Sequence, residues 1–284
     1  MSDNFILNVL MACHNRVTFT TRCLTQLEEQ AKRLGLVVQV YLVDDGSTDG
    51  TFEAASHFEI LHNYFRGDGD LFWAKSMEIA EAVALADEDS RKDYGYLWVN
   101  DDVDLFGDSL LKLVENFRLK SDSILVGATV DDRNHPSYGG MVKNGIHPLN
   151  YSRVGISDRM ERVETFNGNF VFMPGYIAHA VGGIDGSFSH GLADIDFGIR
   201  ANALGIPILQ LPGAIGLCNR NIPALHTSRR KAWNEFLSSK GGGNFKSLRR
   251  ILSKRTIFWP VVILASYSLW WLRRAKPNIE GYVA

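Results

Sequence analysis

Tyr94-Gly-Tyr-Leu-Trp-Val99 is an apolar, aromatic run that ends abruptly in Asn100-Asp101-Asp102-Val103-Asp104. The run reads as a buried strand with carboxylates at its C-terminal end. Adjacent acids raise each other's pKa, and a cation between them removes that penalty. Hard ions such as Mg²⁺ or Mn²⁺ take carboxylate oxygens and bridge one or two of them to a substrate's phosphates. In open α/β sheets the ligand crevice lies beyond the carboxyl ends of strands. The stretch is therefore a candidate metal–phosphate site. A solvated turn, with Asp104 or Asp108 capping a helix over 107–119, is the purely structural alternative.

The surrounding pattern agrees with such a sheet. Strands are expected at Leu7–Ala12, Leu36–Val43, Phe58–His62, 94–99, 123–130 and Gly168–Met173. Helices are expected over 18–33, 72–88, 107–119, 174–181 and 192–204. Strands alternating with helices indicate an α/β fold with a mostly parallel sheet covered on both faces. The stretch from 131 to 165, rich in Gly, Asn and Asp, reads as irregular with short strands.

At 284 residues the chain makes one large domain, or one domain plus an appendage. Its beginning lacks a basic n-region and a long apolar run, so no signal peptide is expected. Cys13, Cys23 and Cys218 have neither metal nor disulfide-framework spacing, and free thiols in a reducing compartment are expected. The net charge of −2 hides an asymmetry. Residues 219–276 carry 13 Lys+Arg against one acid, Glu235, whereas residues 1–218 carry 17 against 30. A basic tail on an acidic body suggests a polyanionic surface for the tail.

Two strand–helix junctions carry further chemistry. Ala12-Cys-His-Asn15-Arg16 contains no Gly-x-Gly-x-x-Gly, so an ordinary dinucleotide fold is unsupported. Nor does it supply the Gly-rich basic loop that a nucleotidyltransferase would need. Val43-Asp-Asp-Gly-Ser-Thr-Asp-Gly-Thr51 resembles a calcium loop only in part, because its twelfth position is Ser56 and a strand precedes it. It does repeat the pattern of a buried strand ending in two carboxylates. Two acid-tipped neighbouring strands would make a pocket for sugar hydroxyls, a base N–H and a metal.

At these residues the chain resembles the inverting family 2 glycosyltransferases of GT-A fold. The matching pieces are Ala12–Asn15, Val43–Thr51, Gly69-Asp-Leu-Phe-Trp-Ala-Lys-Ser-Met77, Val99–Val103 and Ala193-Asp-Ile-Asp-Phe-Gly-Ile-Arg200. They occur in the family's order across roughly residues 6–212, and they are most similar to bacterial enzymes of cell-surface polysaccharide synthesis, rhamnosyl- and galactosyltransferases among them. The resemblance implies a Rossmann-like, mostly parallel central sheet flanked by helices. It also implies a domain over 1–218, with a nucleotide-sugar half at 1–130 and an acceptor half at 131–218; the charge asymmetry adds a basic helical membrane-association region at 219–284.

What the resemblance implies for the site is specific. Ala12, His14, Asn15 and Arg16 would line the nucleotide, with His14 packing on the base, and Asp45 would accept the N3–H of uracil or thymine. Asn100-Asp101-Asp102 would stand for the Asp-x-Asp motif, Asp102 binding Mn²⁺ or Mg²⁺ and Asp101 the ribose or donor sugar. Asp70, Trp73 and Lys75 belong to the loop near the donor, where Lys75 would reach a phosphate. Asp194 aligns with the catalytic base, its preceding Glu being Ala193 here, and His190 is a substitute base. His190, Asp196 and Asn169 would face the acceptor, although Asp196 and Arg200 are also spaced to pair along a helix. His226 would complete the metal or diphosphate site.

Residues 256–272 carry no charge, and Lys254-Arg255 and Arg273-Arg274 bracket them. The run is short for a bilayer span of about 20 residues. Trp259, Trp270 and Trp271 suit an interface, so a helix lying in the inner leaflet is expected, with packing on the domain or on a second subunit of a homodimer as the alternative. No interleaved basic and aromatic stacking surface supports nucleic-acid binding. The sequence thus predicts a metal-dependent inverting transferase at the cytoplasmic face of the inner membrane, peripheral or monotopic. It would move a sugar from a UDP- or dTDP-sugar to a lipid-linked, polyprenyl diphosphate saccharide. A non-catalytic nucleotide-sugar-binding protein with a degenerate site is the alternative, motivated by Asn100 and Ala193.

Overall fold

The strands at the centre of the sheet are buried on both faces, as expected where helices cover a sheet from both sides. In this computed structural model, which describes residues 5–89, 92–189, 191–220, 228–239 and 241–273, the first half alternates strand and helix. β1 (Phe5–Cys13), α1 (Val17–Leu34), β2 (Val37–Asp44), α2 (Thr51–Ala55), β3 (Leu61–Arg66), α3 (Phe72–Ala86) and β4 (Asp93–Val99) form this half. A two-residue β5 (Asp104–Leu105) precedes α4 (Ser109–Leu119) and β6 (Ile124–Val130). Short strands follow: β7 (Pro136–Tyr138), β8 (Gly140–Lys143), β9 (Tyr151–Arg153), β10 (Glu161–Arg162) and β11 (Thr165–Phe166). Then come β12 (Phe170–Pro174), α5 (Gly175–Val181), α6 (Ala193–Ala203) and β13 (Ile208–Leu217). Helices α7 (Arg229–Leu237), α8 (Phe245–Ser253) and α9 (Trp259–Arg273) form the tail.

The main sheet has ten strands, with β10-β13-β6-β12-β4-β1-β2-β3 as its continuous path. β1 lies parallel between β2 and β4, so the tips of all three point the same way. β12 is antiparallel to both β4 and β6, which makes the sheet mixed at its centre. It thereby delivers Gly168 and Asn169, just before its first residue, to the tip of β4, where Asn169 C=O accepts the Asn100 N–H. β11, β8 and β9 form a separate three-stranded sheet.

The third strand lies at 61–66, not at 58–62. Phe58 to Ile60 turn out of α2, and Ile60 joins only through its carbonyl, which accepts the Val40 N–H. The true strand carries polar His62, Asn63 and Arg66 because it is the sheet's edge and one side meets water.

The core has two layers, one on each sheet face. Trp98, Tyr96, Phe166, Phe197 and Met77 fill one, and Leu24, Leu27, Phe170, Phe172 and Leu110 the other. The tail closes the first layer: Leu248, Ile251 and Leu252 of α8 and Ile263 of α9 belong to the same cluster as Trp98. No helix among the described residues is long and apolar enough to cross a membrane.

Candidate active site

The tip of β4 ends where its side chains leave the core. Asp101 is 3 % exposed. Its Oδ1 accepts from Arg16 Nη1 at 3.1 Å and its Oδ2 from the Thr20 hydroxyl at 3.2 Å. The same guanidinium nitrogen reaches Asp102 Oδ2 at 2.9 Å. The Cys218 thiol points at Asp102 Oδ1 from 3.6 Å. Burial pushes the Asp101 carboxyl up to about 6 and Asp102 adds to the rise, while Arg16 opposes it. Burial also pushes the Cys218 thiol up, to about 12, so it stays a neutral donor to Asp102.

The tips of β1 and β2 are tied together and to the loop before α3. Asn15, at φ +50°, donates its N–H to Ser47 Oγ at 2.8 Å and accepts from the Thr48 N–H at 2.9 Å. His14 Nδ1 bonds the Asp45 carbonyl. The Asp45 carboxylate accepts three backbone N–H groups, from Gly69 at 2.9 Å, Leu71 at 3.1 Å and Phe72 at 2.9 Å. These bonds hold Phe72 at φ +56°, a conformation that bulky residues rarely adopt. Gly46 is required beneath them, since a Cβ there would lie 2.9 Å from Gly69 N. Asp44 points away from the crevice, accepting from Ser47 N–H and the Tyr64 hydroxyl.

Across the crevice, α6 begins at Ala193 after Leu192, whose φ is +79°. Asp194 in its first turn accepts from the Gly168 N–H at 3.0 Å and the Ile195 N–H at 2.8 Å. Burial raises the Asp194 pKa, against those backbone donors and the Asn167 side chain. Gly168 lets the Trp73 ring close over it, because a Cβ would come within 2.7 Å of that ring. Trp73 Nε1 then donates to Asn100 Oδ1 at 2.7 Å.

These groups line one open cavity of about 380 Å³, within the range of small-ligand sites. Of the expected site residues, Ala12, His14, Arg16, Asp45, Trp73, Asn100, Asp101, Asp102, Asn169 and Asp194 line it. Asn15 fastens the loops behind it, and Asp70 is exposed outside the lining. Lys75 is exposed and pairs with Glu78. Asp196 does not face the cavity: it bonds Arg200 at 2.9 Å and Lys254 at 3.2 Å. His190 and His226 lie outside the described residues.

Cys13, Phe72, Ser76, Tyr138 and Asn167 also line the cavity, beyond the residues expected. Phe72 and Ser76 sit within the Gly69–Met77 segment. Tyr138 and Asn167 come from the irregular stretch and its end, where residue type alone gave no signal.

Among the described residues no group of three or more His, Cys, Asp or Glu could hold a metal by itself. The donor set nonetheless fits Mg²⁺ or Mn²⁺ of the kind that takes one or two carboxylates and completes its shell with phosphate oxygens and water. Asp102 faces the cavity, and the Arg16 guanidinium, in contact with both acids, marks the place where positive charge is held.

The model of the family described as Glycosyl transferase family 2 matches residues 8–176, more than half of the chain. Among solved structures the fold is similar to that of S. aureus TarS, with TM-score 0.55 and 14 % identity over 75 % of this chain and 36 % of that one. GalNAc-T7 with UDP, GalNAc and Mn²⁺ gives TM-score 0.59 and 10 % identity over 89 % of this chain and 48 % of that one. The mannosyltransferase PcManGT from Pyrobaculum calidifontis, in complex with GDP-Man and Mn²⁺, gives 0.51 and 14 % over 96 % and 76 %. The chain thus spans about a third of TarS and about half of GalNAc-T7. No curated protein sequence matches it.

Proposed function

Since the chain belongs to glycosyl transferase family 2, we propose that it moves a sugar, with inversion, from a UDP- or dTDP-sugar to a hydroxyl of a lipid-linked saccharide in cell-surface polysaccharide synthesis. The observation that carries the reading is that Asp102 and Asp194, from the tip of β4 and the start of α6, line the same cavity. TarS in complex with UDP-GlcNAc and GalNAc-T7 with UDP and Mn²⁺ support a uridine diphosphate donor and a divalent ion.

The chemistry is one displacement at the anomeric carbon. The acceptor oxygen forms its bond to that carbon as the bond to the diphosphate oxygen breaks, and the hydroxyl proton moves to Asp194. Burial raises that carboxylate's affinity for the proton, and the Gly168 and Ile195 N–H groups fix its orientation. Mn²⁺ or Mg²⁺, held by Asp102, would neutralise the charge that develops on the leaving diphosphate. Asp45 holds the loop carrying Gly69 and Phe72 against the donor side, and Trp73 walls the cavity between donor and acceptor elements. The basic tail supports a peripheral site of action at the cytoplasmic face of the inner membrane.

The test separates binding from chemistry. Thermal shift with UDP, dTDP and Mn²⁺ is measured beside nucleotide release in the presence of a polyprenyl-diphosphate-linked sugar. Asp102→Ala should lose the Mn²⁺-dependent shift. Asp194→Asn should keep nucleotide binding and lose transfer by roughly 10²–10⁴-fold. Normal turnover by Asp194→Asn overturns the assignment of the base. Nucleotide binding without any release by the native chain supports the non-catalytic reading instead.

A further inference from the structure

Helix α9 is largely apolar, with Ser266, Tyr267 and Ser268 its uncharged polar side chains, and the other described residues cover only half of it. Its inner side is fixed: Ile263 is buried, Trp233 and Phe236 of α7 pack on Trp270 at ring distances of 4.9 and 5.1 Å, and the Tyr267 hydroxyl donates to Gly243 C=O at 2.6 Å. The outer side exposes Val261 by 63 %, Leu264 by 68 % and Leu272 by 69 %, with Phe258 leading into it at 65 %. These positions fall on one helical stripe, and no charged side chain interrupts it between Trp259 and Leu272.

Cations flank both ends of this helix. Arg249 stacks over Trp259 at the start of α9, and Arg229 stacks over Trp271 at its end, 4.2 Å from the ring centroid and bonded to the Trp271 carbonyl. Arg273 follows, and the balance over 219–276 is +12.

We propose that the outer face of α9, through Phe258, Val261, Leu264 and Leu272, docks into the surface of an anionic lipid bilayer, with Arg229, Arg249 and Arg273 on its headgroups. The inference deepens the membrane placement of the proposed function and rests on it. Charge decides the occupant. A second copy meeting this face about a two-fold axis would set the same cations against each other. Anionic headgroups neutralise them while the acyl boundary accepts the apolar stripe. The segment leading into α9 also touches the elements of the site. Lys254, between α8 and α9, binds Asp196 in the first turn of α6, two residues beyond Asp194. A smaller cavity of about 100 Å³ beside α8 shares Gly191 with the main one.

The test is co-sedimentation of the full chain with vesicles of phosphatidylcholine alone and with about one third phosphatidylglycerol. The chain should partition onto the anionic vesicles roughly tenfold or more strongly than onto neutral ones, and high salt should weaken the binding. Val261→Glu with Leu264→Glu should reduce binding at least about tenfold with an unchanged melting temperature, as should Leu272→Gln to a smaller extent. UDP and Mn²⁺ binding, read in the same samples, should be unchanged. Loss of docking with retained nucleotide binding therefore bears on the face alone, and loss of nucleotide binding by the native chain bears on the transferase reading alone. Equal partitioning onto neutral and anionic vesicles, no vesicle binding at all, or a dimer in light scattering that the same substitutions abolish overturns the proposal.

Discussion

Replacing Arg16 by Met removes the guanidinium charge while keeping most of the apolar stem. The guanidinium contacts Asp101 at 3.1 Å and Asp102 at 2.9 Å, and Asp101 is almost wholly buried. At an effective dielectric near 20, a unit pair about 4 Å apart interacts by about 4 kcal/mol. Arg16 is 40 % exposed in its side chain, so solvent screening removes a good part of that figure. A net loss of about 2 kcal/mol remains, equivalent to roughly 4–8 °C in Tm for a chain of this size. Without Arg16 the Asp101 carboxyl, already raised to about 6, rises further. A raised acid pKa gives stability that is lost as pH rises, so the deficit should be larger at pH 8 than at pH 5.5.

The same substitution tests what the site is for. If Arg16 holds the place of a divalent cation, Mn²⁺ without nucleotide should raise the Tm of Arg16→Met by several degrees and the native Tm much less, because in the native chain the ion must displace a guanidinium. Differential scanning fluorimetry with and without millimolar Mn²⁺ reads both effects. An Arg16→Met variant as stable as the native chain refutes the compensation argument. Equal Mn²⁺ shifts in the two proteins refute the shared position.

Two further substitutions probe the frame. Burial pushes Glu81, 3 % exposed with its Oε2 accepting from the Ile184 N–H at 2.6 Å, from 4.5 up to about 7. Its contribution is therefore full below pH 4.5 and lost as pH rises through 7, a span of about 3 kcal/mol. Urea unfolding at pH 5 and pH 8.5 should show this decline in the native chain and a flatter profile in Glu81→Gln; parallel profiles contradict it. Gly168→Ala puts a methyl 2.7 Å from the Trp73 ring. It should cost about 1–3 kcal/mol, break the Trp73–Asn100 bond and weaken UDP binding, checked by melting and titration. An unchanged affinity would show that Trp73 does not shape the donor side.

β1, β2 and β4 were legible because each is a short apolar or aromatic run bounded by turn residues, whereas the polar edge strand β3 was expected three residues too early. Direction was legible only where a helix separated two strands. Phe170-Val-Phe-Met carries an apolar run compatible with either orientation, and its antiparallel insertion between β4 and β6 depends on where the chain arrives from the short strands before it. Asp194 and Asp196 show a finer limit. Two residues along a helix are about 200° apart, so only one of them faces a given crevice. Asp194 faces the cavity, and Asp196 is turned to Arg200 and to Lys254, whose position 58 residues later no local pattern reports. Arg16 was readable as a residue near the first junction, but not as the partner of two acids some 85 residues away. Cys218 was readable only as a free thiol, although it ends beside Asp102.

The backbone argues for the same site independently of residue type. Among the described residues four non-glycine positions have positive φ, at Asn15, Phe72, Asn134 and Leu192. Three of them border the cavity: Phe72 lines it, Asn15 lies between the lining residues His14 and Arg16, and Leu192 follows Gly191. Such conformations cost of order 1–3 kcal/mol each for ordinary side chains and persist only where surrounding bonds over-determine them. Here the bonds are identifiable. Asp45 Oδ2 holds the Phe72 N–H, Ser47 Oγ holds the Asn15 N–H, and the Leu192 carbonyl accepts the Asp196 N–H at 2.8 Å. Asp45 is thus both a wall of the cavity and the clamp on the strained loop beside it. A ligand that drew on its carboxylate would compete with three backbone donors, and such binding would be coupled to the order of the 67–72 loop through this one side chain.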